Sequence, residues 1–500
     1  MSSHRTHTTR YRRRLTAATA TVVAGAVLAA CGGPSPAGPA GGNDAGGGNA
    51  AATENTGDAA GSGAAGGGDG AATTANTTSG VSEMKGTAAA GATTISFWQT
   101  KFEDYQQKWF ADQIAKYNSS QNKVFVKYTV VPGDVFETKL KAAQQAGTQP
   151  DVATTNYGSI SDGVAQGKFA ELDGKIPAEA FADIKDNVKD FVKVGDKNYA
   201  YPMLVEPSTV LYYRADLAKA AGLDPEKPPT TWDELIDWSA KLTKGKVKGM
   251  TIASTKADLS WSSWGLQYNA CGRLPISDDW SKAEATSECY TKLLQLYQTL
   301  FQKKYMPQTP KVGYPDAAPY VNGEVAMMAN GSWAVGQLKD AKKPELLKNT
   351  RVAAFPSVDG DPKKPTATLG GWTLTVDSKS KNQDGAADFI NWLLASDPQR
   401  MAEFFKLSGY SKFTVRTSVD KALASTPEAT NDPFMKIIND QVVQFGKQEP
   451  GYPLDISNAF ADAIESSMKG KADIKASLEA ANAKIERTIQ QQRLAGKGNG

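Results

Sequence analysis

The chain has 500 residues, 40% of them hydrophobic and 22% charged, ordinary values for a soluble globular protein. Its net charge of +3 comes from a leader with five arginines (Arg5, Arg10, Arg12, Arg13, Arg14) and no acid. Beyond residue 30 the balance is 51 basic to 53 acidic side chains, or −2, which gives no electrostatic case for nucleic acid or an anionic membrane surface. The only histidines, His4 and His7, also lie in the leader, so the remainder is without Ser-His-Asp or Cys-His catalysis, histidine-ligated zinc and histidine proton transfer.

Residues 4–14 are basic and residues 15–30 are apolar and small, a stretch shorter than the roughly 20 residues that span a bilayer. The pattern predicts a secretory signal over 1–30. It ends in Leu28-Ala29-Ala30-Cys31, which resembles the bacterial lipobox, where the cysteine sulfur takes a diacylglycerol and acylation of the new N-terminus adds a further chain. Arg12-Arg13-Arg14-Leu15 is also compatible with twin-arginine export. Residues 31–92 are expected to comprise a lipidated Cys31, a plain signal peptide with an incidental cysteine being the alternative, and a Gly/Ala/Thr/Ser-rich segment that cannot bury enough apolar surface to order itself. A disordered tether of that length reaches about 43 Å.

The folded part is expected from residue 93. Residues 92–98 alternate as an opening strand, 103–118 carry Tyr105, Trp109, Ile114 and Tyr117 at helical spacing, and Val124 to Val131 form a second strand. Helix 135–146 stops at Gly147, and 150–155 is a third strand, so a largely parallel α/β sheet is predicted. Extended chain over 199–213 precedes a helix at 216–221. Thr231-Trp-Asp-Glu234 is a capping box. Strands at 351–355 and 372–376, helices at 383–395 and 398–407, and amphipathic helices over 455–493 complete the chain. More than 400 residues exceed what one core holds, so two lobes are expected. Trp109, Trp232, Trp238 and Trp392 fall on helix stripes and are expected in the core. Cys271 and Cys289, an even pair in an exported chain, are expected to form a disulfide, two buried thiols being the alternative.

Four segments carry a resemblance to a known family. They are Ile95-Ser-Phe-Trp98 with its helix; Tyr201-Pro-Met-Leu-Val-Glu206 through Leu217, with Pro228-Pro-Thr-Thr-Trp-Asp-Glu-Leu235; Asn322 to Trp333; and Gly370-Gly-Trp372 with Ala386 to Leu393. In this order the chain resembles the extracellular solute-binding proteins of bacterial ABC importers, in the carbohydrate-binding branch that includes maltose-binding protein. The resemblance implies two hinged α/β lobes with a ligand cleft between them, lobe 1 being 93–204 and 354–397 and lobe 2 being 205–353 and 398–500. It implies a monomeric, lipid-anchored receptor on the outer face of the cell membrane. That receptor would deliver carbohydrate to a permease whose ATPase is a separate chain, without enzymatic activity, cofactor or metal.

A sugar offers apolar C–H faces to aromatic rings and hydroxyls to carboxylates and amides. The expected ligand contacts are therefore Trp98 and Gln99 at a strand end, Asn156 and Tyr157 after the third strand, and Glu206 at the first crossover. To these are added Trp261 and Trp264 in a polar loop, Trp333 behind Asn330-Gly331, and Trp372 behind Gly370-Gly371, whose glycines would let a ligand approach the backbone. Glu206 and Trp333 match ligand-binding positions of maltose-binding protein. Each has a structural alternative: an indole packed under a helix, a helix cap, a solvated acid. Tyr410 and Arg416 are weaker candidates. Two other functions stay open. A secreted glycoside hydrolase could work with two carboxylates. The same fold could take a peptide, a polyamine or an oxyanion.

Overall fold

In the computed structural model of the chain, residues 82–498 are described, except 85 and 102. The signal segment, Cys31 and most of the tether lie outside them. Thirteen strands are found among the described residues: β1 Ser82–Glu83, β2 Thr93–Lys101, β3 Val124–Pro132, β4 Val152–Asn156, β5 Lys193–Val194, β6 Lys197–Asn198, β7 Ala200–Pro207, β8 Val210–Arg214, β9 Lys248–Thr251, β10 Val325–Asn330, β11 Thr350–Ala353, β12 Thr368–Val376 and β13 Lys447–Gln448.

The first sheet runs β1-β3-β2-β4-β12-β13, with β7 also paired to β12. β2 is parallel to β3 and β4, as the strand–helix–strand order predicts, while β12 enters antiparallel between β4 and β7. The second sheet runs β11-β8-β10-β9. Alternation along β8 shows why this sheet is buried on both faces. Leu211 and Tyr213 enter one core with Trp232, Trp238 and Trp264, while Val210 and Tyr212 enter another with Val335 and Leu338. The first sheet has its own core, which includes Ile95, Phe97, Trp109, Leu374 and Phe389. These two sheets with separate cores are the two lobes.

Local signals explain several elements. The Thr231 hydroxyl accepts from the Glu234 amide, and the Glu234 carboxylate accepts from the Thr231 amide, so the capping box forms and starts helix Trp232–Leu242. Gly147 ends helix Gly133–Ala146 at φ 71°, a conformation that favours glycine.

Three expectations need correction. Ser82–Glu83 pairs antiparallel with Thr129–Val130 and Met84 packs on the first core, so ordered chain begins before residue 93. Residues 398–419, expected in lobe 2, belong to lobe 1: Met401, Phe404, Phe405, Val415 and Val419 lie in its core. Residues 354–367, expected in lobe 1, run along lobe 2, with Phe355 and Ala367 in its two cores. In each case the apolar side chains follow a core that the order of elements alone does not reveal.

Cys271 and Cys289 are joined, with Cα atoms 5.4 Å apart and a sequence separation of 18. In the chain-entropy picture a loop of this size contributes roughly 3 kcal/mol. A thiol assay on unreduced, denatured protein should therefore count neither of these cysteines, and Cys271→Ser/Cys289→Ser should lower the unfolding free energy by about that amount. An unchanged urea midpoint would contradict it.

Candidate functional site

The lobes meet where β7 passes into β8. Glu206 precedes a proline, which holds it extended, and Pro207 has no N–H with which to continue a ladder. The four residues 206–209 collect groups from both lobes. The Ser332 amide donates to Pro207 O at 3.2 Å, and the Ser208 amide donates to Thr368 O at 2.9 Å. The Tyr314 hydroxyl donates to Ser208 O at 2.8 Å, and the Ser208 and Thr368 hydroxyls are 3.1 Å apart. Thus the two crossing strands are bonded to each other and to the turn that carries Trp333.

Beside this segment lies a buried ion cluster. Lys412 Nζ is 2.8 Å from Glu206 Oε2 and 3.1 Å from Glu103 Oε2; the lysine side chain is 1% exposed, against 12% and 16% for the two acids. Glu103, just after β2, also accepts from the Tyr105 hydroxyl at 2.9 Å and from Gln106 Nε2 at 3.3 Å. Burial opposes the charge on Lys412, but the two carboxylates outweigh it and hold its pKa well above the usual lysine value. Burial pushes Glu206 up, against the pull of Lys412, and the charge of Glu103 adds to the rise.

A second Glu-Pro pair, Glu449-Pro450, reaches the same place. Gly158 N–H donates to Glu449 Oε2 at 3.1 Å. Across β12, Gly370 pairs with Glu206 on β7. A Cβ on Gly370 would stand 2.2 Å from Glu449 Oε1. This glycine therefore makes room for a protein carboxyl, not for the ligand the sequence suggested. Gly371, at φ 144°, passes under Leu204 O, which a Cβ would meet at 2.3 Å. Burial, with the charge of Glu206, pushes Glu449 up to about 8, and the Gly158 amide opposes the rise.

The lobe 2 side is aromatic. Trp261 meets Tyr314 edge-on at 5.5 Å between centroids and lies 6.2 Å from Trp333. Trp333, 8% exposed, packs in the same buried core as Trp264; its Nε1 donates to Pro315 O at 2.9 Å, and its ring folds over Gly331, where a Cβ would overlap it at 1.9 Å. Asp258, one turn before Trp261, accepts from the Thr255 hydroxyl at 2.9 Å, and burial raises its pKa.

The other expected contacts divide. Trp261 and Trp264 do not share a loop; they sit on helices Lys256–Ser262 and Trp264–Cys271. Trp264 is a core residue whose Nε1 donates to Ser457 Oγ at 2.8 Å. Tyr157 is buried, donating to Leu204 O at 2.9 Å and packing edge-on against Phe191. Asn156 Oδ1 accepts from the Ser159 amide at 2.9 Å, at the start of helix Ser159–Ala165, whose N-cap position is Gly158. Trp98 is half-buried against Val131, Phe136 and Ala153. Gln99 accepts from the Tyr128 hydroxyl, and its buried Nε2 has no partner among the described residues. Trp372 is half-buried on β12 opposite Asn156 and Leu204. Arg416 is held by Asp183 and the carbonyls of Leu394 and Ala395, and Tyr410 packs on the lobe 1 core, so these two weaker candidates have structural roles.

Glu103, Lys412, Glu449, Tyr314 and Asp258 were not singled out from the sequence. The repeated Glu-Pro pair was a usable signal for Glu449. Lys412 had none.

Lys412→Met would leave two largely desolvated carboxylates without their cation. It should cost about 3 kcal/mol of unfolding free energy, and adding Glu103→Gln and Glu206→Gln should recover part of it, as read by urea denaturation at pH 7. An unchanged midpoint for Lys412→Met would show that the ion cluster contributes nothing.

Comparison with known proteins places this geometry. Residues 112–437, more than half of the chain, match the family described as bacterial extracellular solute-binding protein. A probable ABC transporter-binding protein of Deinococcus radiodurans is 29% identical over 292 residues, covering 55% of this chain and 66% of that one. A mannitol-binding protein of Pseudomonas aeruginosa is 26% identical, covering 55% and 63%. The sn-glycerol-3-phosphate-binding periplasmic protein of Escherichia coli K12 is 30% identical, covering 41% and 47%. The chain thus spans two thirds or less of the length of each of these relatives. Among solved structures, a Thermotoga lettingae solute-binding protein with bound α-D-tagatose superposes with TM-score 0.69 at 22% identity, over 80% of this chain and 100% of that one. The cyclic α-maltosyl-1,6-maltose binding protein of Arthrobacter globiformis gives 0.61 at 25% identity, over 80% and 100%. The chain belongs to the bacterial extracellular solute-binding proteins, a family that works outside the cytoplasm.

Proposed function

We propose that the chain is the receptor of an ABC importer for a neutral carbohydrate, a sugar or polyol, held between the lobes and released unaltered. The observation that carries this is the chemistry around residues 206–209. Carboxyl groups (Glu206, Glu449, Asp258) and indoles (Trp261, Trp333, Trp372) gather there, and the ammonium at the junction, Lys412, is already shared by two acids. Hydroxyl groups suit such a site; a phosphate ester would meet negative charge beside an ammonium that two acids already share. Of the ligands for which two relatives are named, mannitol and sn-glycerol 3-phosphate, this favours the first.

In this reading Glu206 and Asn156 bind hydroxyls, and Trp333, Trp261, Trp372 and Trp98 supply ring faces, with Gln99 Nε2 as a further donor. Tyr157 and Trp264 support them from the interior. A hydrolase would use a carboxyl pair as acid and nucleophile, but Glu206 is bonded to Lys412, which disfavours a nucleophilic role.

Trp fluorescence should change on titration with at least one of D-mannitol, D-tagatose and maltotriose, and not with sn-glycerol 3-phosphate. Trp333→Ala and Glu206→Ala should each weaken the responding ligand about tenfold or more. Preference for the phosphate ester, or undiminished affinity in both variants, would contradict the proposal.

The anchor belongs to the same proposal: a signal over 1–30, a diacylglycerol on Cys31, and a tether that leaves the lobes free to reach a permease. Cys31→Ser should move the protein from the membrane to the soluble fraction after carbonate washing. Continued sedimentation with membranes would refute lipidation.

A further inference from the structure

Resting on the carbohydrate reading above, we propose that Glu449 is a ligand-binding residue of this site, presenting its free carboxyl oxygen to a hydroxyl of the bound solute. Three observations carry it. Its position is set by backbone on both sides: Oε2 takes the Gly158 N–H, and Oε1 lies over Gly370, whose missing side chain leaves the space. Oε1 receives no hydrogen bond among the described residues, and the half-buried side chain leaves it open to a guest, next to the residue paired with Glu206 on β7. The same segment keeps another polar group unsatisfied. Ser332, whose amide is bonded to Pro207 O, is 0% exposed and its hydroxyl has no partner among the described residues. Polar groups without partners on both sides of the hinge segment are what a hydroxylated guest would complete.

The surroundings determine the charge. Glu206 faces Glu449 from β7, and Tyr157, just beyond β4, faces both acids with a hydroxyl already bonded to Leu204 O. Beyond Glu206 stands Lys412, paired with it and with Glu103. No cation is bonded to Glu449 among the described residues. Burial and the Glu206 charge therefore keep a proton on Glu449 up to about pH 8. A solute closing over the site removes more water from this carboxyl, so the bound form holds the proton more tightly. By linkage, affinity is full below the free-form value of about 8 and falls as pH rises through it. Stability has the same sign: the contribution is present below the ordinary glutamate range and lost as pH rises through about 8.

The test uses the full folded protein with D-mannitol, D-tagatose and maltotriose as probes. The affinity of the responding probe is measured by calorimetry from pH 6.5 to 9.5, in the wild type, Glu449→Gln and Glu449→Ala. In parallel, the Gly158 amide resonance of ligand-free protein is followed from pH 4 to 10. The expected result is an affinity falling about tenfold above pH 8 in the wild type, a flat profile in Glu449→Gln, and a loss of about tenfold in Glu449→Ala at pH 7. The amide should titrate with a midpoint near 8. Wild-type affinity and pH profile in both variants would overturn the proposal, as would an amide midpoint in the ordinary carboxylate range. If the wild type binds none of the probes, the carbohydrate reading fails, and the amide titration still decides the state of Glu449.

Discussion

One buried ammonium organises the junction of the two lobes. Lys412 is out of water, so its charge persists only because Glu206 and Glu103 stand within hydrogen-bonding distance. Glu103 comes from the end of β2, Glu206 from the end of β7, and Lys412 from the segment that follows helix Pro398–Leu407. Three stretches far apart in sequence are thereby fixed at one point, next to the crossing strands. Removing a partner would leave charge stranded in a poorly solvated place, so the constraint holds the end of the first sheet in position for everything built on it.

What is built there depends on backbone as much as on side chains. Pro207 O and Ser208 O receive donors from lobe 2, while the Ser208 amide and hydroxyl reach Thr368 on the returning strand. The lobes are linked by narrow extended segments; their fully buried residues are distinct, and the partly buried Phe413 and Val443 pack on both sides. Turning one core against the other would take dihedral changes in every crossing: at residues 208–209, near 368, between 419 and 435, and between 443 and 452. That is the structural requirement for closure around a solute. Ser332 Oγ, buried beside this segment and without a partner among the described residues, shows where such closure could complete a hydrogen bond.

Much of the scaffold was readable in the sequence because its signals are local. Alternation identified β2 and β3, a glycine ended helix Gly133–Ala146, and the box at Thr231 and Glu234 started the helix it should. The loop expected around Trp261 failed although a local signal was present: Thr255, three residues before Asp258, caps helix Lys256–Ser262. Glu206 stood out because it sits between an apolar strand and a proline, and Glu449 shares that context in weaker form. Lys412 left no trace, because a buried lysine is defined by acids some 200 and 300 residues away in sequence. The glycines before Trp372 were legible as a need for space, but not what fills it. Side-chain identity at long range, not backbone preference, is what one-dimensional patterns fail to carry.

The central claim is that these lobes hold a hydroxyl-rich, uncharged molecule and return it intact. Native mass spectrometry of protein purified without added sugar, followed by denaturing release and analysis of the bound species, tests it most directly. The account predicts an intact neutral sugar or polyol, at most one per chain. A bound phosphate ester, or a bound sugar released as cleavage products, would contradict it.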